Sequence, residues 1–107
     1  MLGLIRDHDA RRLEPVDVTL GELPADASPA MRKVAEDIRL LLGLRLAVDD
    51  DRPLPYSTRF CAERCGLHDQ GHASRVLRRL VEAGVIRHVE SLEPRGKRDG
   101  TKAYAAP

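Results

Sequence analysis

Two spacings of apolar residues alternate along the chain. The first is helical. Between Asp69 and Ala83, the residues Ala73, Val76, Leu77 and Leu80 recur at i, i+3, i+4 and i+7, which sets them along one face of an amphipathic helix. Asp69 stands where a carboxylate caps the free N–H groups of a first turn, and Gly84 where a helix stops by entering the left-handed region. The opposite face carries Gln70, His72, Ser74, Arg75, Arg78 and Arg79. A shorter helix precedes it, from about Thr58 to Cys65, capped by Ser57 and stopped by Gly66. A longer one starts at Ser28-Pro29, a good cap followed by a residue with no N–H to leave unbonded. Its stripe is Met31, Val34, Ala35, Ile38, Leu41, Leu42 and Leu46, and it runs to about Val48.

The second spacing is extended. Val16, Val18 and Leu20 alternate with Asp17 and Thr19, which predicts a short strand. Pro24-Ala25-Asp26-Ala27 follows as a loop. Val85 to Leu92 and Thr101 to Ala105 read as two strands around a turn, Glu93 to Gly100, rich in Pro, Gly and charge. Strand, glycine turn, strand is a hairpin signal. The fold class expected is therefore mainly α with a small β hairpin, an α+β layout built on a three-helix core. Residues 1–27 form a partly ordered N-terminal arm and 28–107 the domain.

Two helices joined by a tight glycine turn, the second basic on its free face, is how a helix-turn-helix reads in sequence. The strings Ala62-Glu63-Arg64-Cys65-Gly66-Leu67 and Ser74-Arg75-Val76-Leu77-Arg78-Arg79-Leu80-Val81-Glu82-Ala83-Gly84-Val85-Ile86, with the basic hairpin after them, resemble bacterial winged helix-turn-helix DNA-binding domains. The resemblance covers roughly residues 28 to 105. The chain departs from the usual pattern in having Cys61 and Cys65 where the first helix of the pair carries aliphatic residues, and in a turn about one residue longer. The resemblance implies that the hairpin is a wing, and that Leu54 and Tyr56 form a short extended segment pairing with it.

Composition narrows the functions that fit. With 107 residues and 42% apolar content, the chain suits one small globular domain. Its only aromatic residues are Tyr56, Phe60 and Tyr104, too few to stack successive bases as single-strand binders do. No apolar run approaches about 20 residues, so no membrane partner is expected. The N-terminus lacks a secretory layout, and two cysteines are too few for a disulfide scaffold; the expected location is the cytoplasm. The net charge of +1 conceals a gradient. Residues 1–27 hold three Arg against six acids, whereas 68–107 hold eight Lys or Arg against five. The basic end coincides with the amphipathic helix and the hairpin, a footprint that suits a polyanion. The competing reading is an ordinary solvated surface.

The site expected is an interface with double-stranded DNA. Gln70, His72, Ser74 and Arg75 are the candidates for base contact, since Arg pairs with guanine O6/N7 and Gln with adenine N6/N7. Arg59, Arg78, Arg79, Arg95, Lys97, Arg98 and Lys102 are the candidates for backbone contact, fixing register without reading sequence. The helix 69–83 would enter the major groove, with the 93–102 wing on the backbone or in the minor groove. A competing constellation is Cys61, Cys65, His68 and His72, whose soft and borderline ligands suit tetrahedral zinc. It lacks a ligand pair from a separate segment, and both cysteines fall at core positions, so no metal and no cofactor are expected. Asp49-Asp50-Asp51 lacks the alternating glycine-containing spacing of a calcium loop and reads as a solvated turn. No nucleophile motif or phosphate loop is present, so the chain is not expected to be an enzyme. Leucines in excess on the 29–48 helix, or the arm, would serve a homodimer. The alternative function is a protein-interaction module, or an accessory of replication or recombination within a larger complex.

Overall fold

A computed structural model of the chain describes residues 14–89 and 102–107. In chain order they form α1 (Pro29–Ala47), β1 (Leu54–Pro55), α2 (Thr58–Cys65), α3 (Gln70–Glu82), β2 (Arg87–Val89) and β3 (Ala103–Ala105). The three helices pack together, and a small antiparallel sheet of order β1-β3-β2 lies against them. This is the α+β layout expected.

Each helix begins on the residue whose side chain suits a cap. Ser28 accepts from Met31 N at 3.2 Å, Ser57 from Phe60 N at 3.0 Å and Asp69 from His72 N at 2.7 Å. Each bond satisfies a donor that the first turn leaves without a helical partner. The helices also end alike. Asp50 N bonds Arg45 O at 2.8 Å, Leu67 N bonds Ala62 O at 2.9 Å and Val85 N bonds Leu80 O at 2.9 Å. That six-to-one bond requires a left-handed residue just before the donor. Gly66 and Gly84 supply it at φ 64° and 77°, and Asp49 supplies it at φ 59°. Asp tolerates this region better than most side chains, so the acidic triplet is a helix stop as well as a turn. The expectation of a merely solvated turn is corrected at Asp50. It is half-buried, 3.1 Å from Arg45 and 2.9 Å from Arg52. Hydrogen bonds from Arg52, with the charges of Arg45 and Arg52, hold its carboxyl well below the usual carboxylate range.

The core is aliphatic, with Tyr56 and Tyr104 added. Val34, Ile38, Leu77, Leu80, Val85 and Ile86 are almost wholly buried, and no charged residue is buried among the described ones. α1 contributes Met31, Val34, Ala35, Ile38 and Leu42; α3 contributes Ala73, Val76, Leu77 and Leu80. Leu46, expected in the α1 stripe, is 37% exposed. In the sheet, Tyr104 of β3 stands opposite both Leu54 and His88. Tyr56 N extends the β1–β3 pairing by a bond of 2.9 Å to Lys102 O.

The strand expected over Val16 to Leu20 is absent, although its alternation holds in part. Val18 is buried while Asp17 and Thr19 are exposed. The segment makes isolated backbone bonds instead of a ladder: Val16 N to Gly43 O and Gly21 N to Val85 O, each 3.0 Å. Two glycines permit so close an approach. A Cβ on Gly43 would lie 2.3 Å from Val16 O, and one on Gly21 would lie 2.1 Å from Gly84 O. Both obstacles are backbone and have little freedom to yield. Gly21→Ala is therefore expected to detach the segment from the Gly84 turn. The loss should be about 2–3 kcal/mol, the scale of exposing Val18 and breaking one hydrogen bond. Thermal unfolding together with limited proteolysis N-terminal to α1 checks this.

Candidate nucleic-acid interface

The exposed face of α3 follows from its spacing. With Ala73, Val76, Leu77 and Leu80 facing the core, Gly71, Arg75, Arg78 and Glu82 fall along the middle of the outward face. All four are exposed. Gln70, Ser74 and Val81 flank that row on one side, His72 and Arg79 on the other. Each flank opens onto a cleft. The first, about 180 Å³, lies between α3 and the sheet and is lined by Thr58, Ser74, Arg78, His88 and Lys102 among others. The second, about 570 Å³, lies between α3 and the start of α1 and is lined by Ser28, Met31, His72, Arg75, Arg78 and Arg79 among others.

Most arginines of α1 and α2 are ion-paired, whereas Arg32 and Lys33 of α1 and Arg87 of β2 form no ion pair with a described residue. Arg39 pairs with Glu36 and Asp17, Arg45 and Arg52 with Asp50, Arg59 with Glu63 and Arg64 with Asp37. Arg75, Arg78 and Arg79 form no ion pair with a described residue, and neither does Lys102. Three guanidiniums thus stand on α3 without an ion pair to a described residue, although the charge of Arg75 also acts on the capping Asp69 carboxylate; such a concentration of positive charge attracts a polyanion.

Of the residues singled out for base contact, His72, Ser74 and Arg75 lie on or beside the outward row. Gln70 sits at the margin, where its Oε1 accepts from Thr58 Oγ1 at 3.4 Å, so it faces α2. Of those singled out for backbone contact, Arg78 occupies the middle of the row, Arg79 its flank and Lys102 the first cleft. Arg59 is 79% exposed and 3.5 Å from Glu63, an exposed pair of small energy. Arg95, Lys97 and Arg98 lie outside the described residues. His88 was missed by sequence reasoning. Its only signal was its opposition to Tyr104, which depends on the register of the hairpin.

The structure separates the two halves of the zinc constellation. Cys61 and Cys65 are 0% and 2% exposed, whereas His68 is exposed and His72 half-buried on the far helix. Among the described residues no cluster of three or more His, Cys, Asp or Glu is arranged for a metal. Both cysteines are unbridged and act as core residues. Burial pushes the Cys61 thiol up to about 12. A thiol reagent is expected to leave both cysteines unmodified in the folded protein at neutral pH and to modify both in denaturant. Rapid native modification would contradict this packing.

Between the helices lies a network that orients α2. Tyr56 is 1% exposed, and its hydroxyl donates to Asp37 Oδ2 at 2.7 Å. Arg64 Nε donates to both oxygens of Asp37, at 3.0 and 2.9 Å, and its guanidinium lies 5.6 Å from the Phe60 ring centre. Burial raises the Asp37 carboxyl, but hydrogen bonds from Arg64 and Tyr56 and the charge of Arg64 outweigh it, leaving the group below its ordinary value. One carboxylate of α1 thus ties down β1's neighbour Tyr56 and α2's Arg64.

No family model matches this chain, and neither the curated proteins nor the solved structures give a significant match.

Proposed function

We propose that the chain is a winged helix-turn-helix protein that binds double-stranded DNA sequence-specifically and acts as a transcriptional regulator. In this reading α3 enters the major groove, and the 93–102 wing lies on the backbone or in the minor groove. The observation that carries it is the contrast in ion pairing. Four of the five arginines of α1 and α2, namely Arg39, Arg45, Arg59 and Arg64, form ion pairs, Arg32 being the exception, whereas none of the three arginines of α3 pairs with a described residue. Arg75 is the residue best suited to a guanine edge, with Ser74 and His72 beside it. Gln70 would join them only by giving up its long bond to Thr58. Arg78 lies close enough to the middle of the row to reach either a base or a phosphate. Arg79, Lys102, Arg59 and the wing residues Arg95, Lys97 and Arg98 supply phosphate contacts.

Titrating the protein into a fluorescent duplex at low salt tests this. Binding should weaken steeply as salt rises through a few hundred millimolar, in proportion to the phosphates contacted. Absence of binding at low salt would exclude the reading.

One observation favours a second reading, a protein-interaction module or an accessory of replication or recombination. Val16 in the arm, Leu40 and Leu46 of α1 and Val48 just after it are 45%, 39%, 37% and 58% exposed, apolar side chains that are not carried by α3. The same group would serve a homodimer through α1 and the arm, which is compatible with DNA binding at two half-sites. A concentration-dependent sedimentation coefficient would reveal such a dimer. No helix among the described residues is long and apolar enough to cross a membrane.

A further inference from the structure

The cleft between α3 and the sheet holds a titratable residue that the reading above leaves unused. Tyr104 is 4% exposed and fixed by its pairing with Leu54 on one side and His88 on the other. The His88 ring lies 5.7 Å from that of Tyr104, tilted at 54°. Cross-strand partners share a face of the sheet, so the buried tyrosine holds the imidazole on the cleft side, together with Lys102 two residues before it. Arg78 and Glu82 of α3 face the same cleft, with the hydroxyl-bearing residues Thr58 and Ser74 at its wall. Among the described residues, the charged groups that line this cleft with His88 are therefore two cations and one carboxylate. A cleft of about 180 Å³ has room for a tetrahedral oxyanion.

We propose that this cleft takes one backbone phosphate of the bound duplex, and that His88 contacts that phosphate in its protonated form. The inference rests on the DNA-binding reading. Lys102 and Arg78 hold the phosphate at any pH near neutrality. His88 adds a third charge-assisted hydrogen bond only once its imidazole is cationic. Affinity should therefore rise as the pH falls. Because the same phosphate is contacted at both pH values, the dependence of log affinity on log salt should change little.

The test is a titration of duplex binding at fixed salt at about pH 6 and about pH 8, for the parent, His88→Gln, His88→Arg and His68→Gln. The parent should bind about three- to tenfold more tightly at the lower pH. His88→Gln should show the weaker affinity at both pH values, and His88→Arg the tighter affinity at both. His68→Gln, at an exposed histidine outside the cleft, should keep the parent's pH dependence. The inference is overturned if the parent's affinity does not change with pH, as it would not if the imidazolium paired internally with Glu82. It is equally overturned if the change survives in His88→Gln or vanishes in His68→Gln. If instead the parent binds no duplex at either pH, it is the DNA reading itself that fails. Because His88→Arg reports a gain at the higher pH, a loss of folding in His88→Gln leaves the proposal decidable.

Discussion

Replacing Arg75, Arg78 and Arg79 together by Gln is expected to lower duplex affinity by about 3–5 kcal/mol while leaving the fold intact. The magnitude follows from the separate parts. Loss of a bidentate contact to one base pair is worth about 1–3 kcal/mol, and each phosphate contact adds about 1 kcal/mol at moderate salt. The fold should tolerate the change because all three side chains are exposed, and the carboxylate most affected, Asp69, keeps its capping bond to His72 N. The unfolding midpoint should stay within about 2 °C of the parent's, the range of neutral surface substitutions. The single variants should differ in kind. Arg75→Ala should relax preference at one base pair, whereas Arg79→Gln should weaken all sequences alike and flatten the salt dependence by about one unit. Equal effects of both on every duplex would mean that α3 reads no base.

Asp37→Ala is expected to be the most damaging substitution outside the aliphatic core, at about 2–4 kcal/mol. The change leaves the buried Tyr56 hydroxyl with only the weak Cys65 Sγ partner at 3.6 Å and removes the partner of Arg64, the penalties for a poorly satisfied buried donor and a broken, partly buried ion pair. The Asp37 side chain is 11% exposed and that of Arg64 is 38% exposed, so the upper end of that range needs the network to stay dry. Because the folded protein holds the Asp37 carboxyl below its ordinary value, its contribution is present above the unfolded value, about 4. It is lost as the pH falls through the lower folded value. Parent and Asp37→Asn should therefore differ most in denaturant stability near pH 7 and converge toward about pH 2. A constant difference across that range would show that the ion pair contributes nothing.

The helices were legible because their signals are local. Ser28, Ser57 and Asp69 cap as their positions imply, Gly66 and Gly84 stop as glycine does, and the four apolar positions of α3 leave its basic face outward. The pairing of Leu54 with the hairpin strand also followed expectation. What escaped was long-range or depended on the backbone. Asp49 ends α1 in a left-handed conformation that glycine usually marks. Gly21 and Gly43 are placed by what the backbone meets across 63 and 27 residues of sequence, from Gly21 to Gly84 and from Val16 to Gly43, and no local pattern records that. The Asp37, Tyr56 and Arg64 network joins three segments, so its members look like unrelated surface residues when read singly. The long bond of Gln70 to Thr58 depends on how α2 meets α3, which the spacing along α3 does not record. His88 needed the hairpin register before it could be assigned to a cleft.

Selection of duplexes from a random pool tests most directly whether α3 reads sequence. The account predicts that the parent protein enriches one short motif, that Arg75→Ala loses preference at a single position within it, and that the Gln-substituted triple variant enriches nothing. Retention of duplexes by the parent without enrichment of any motif would contradict it.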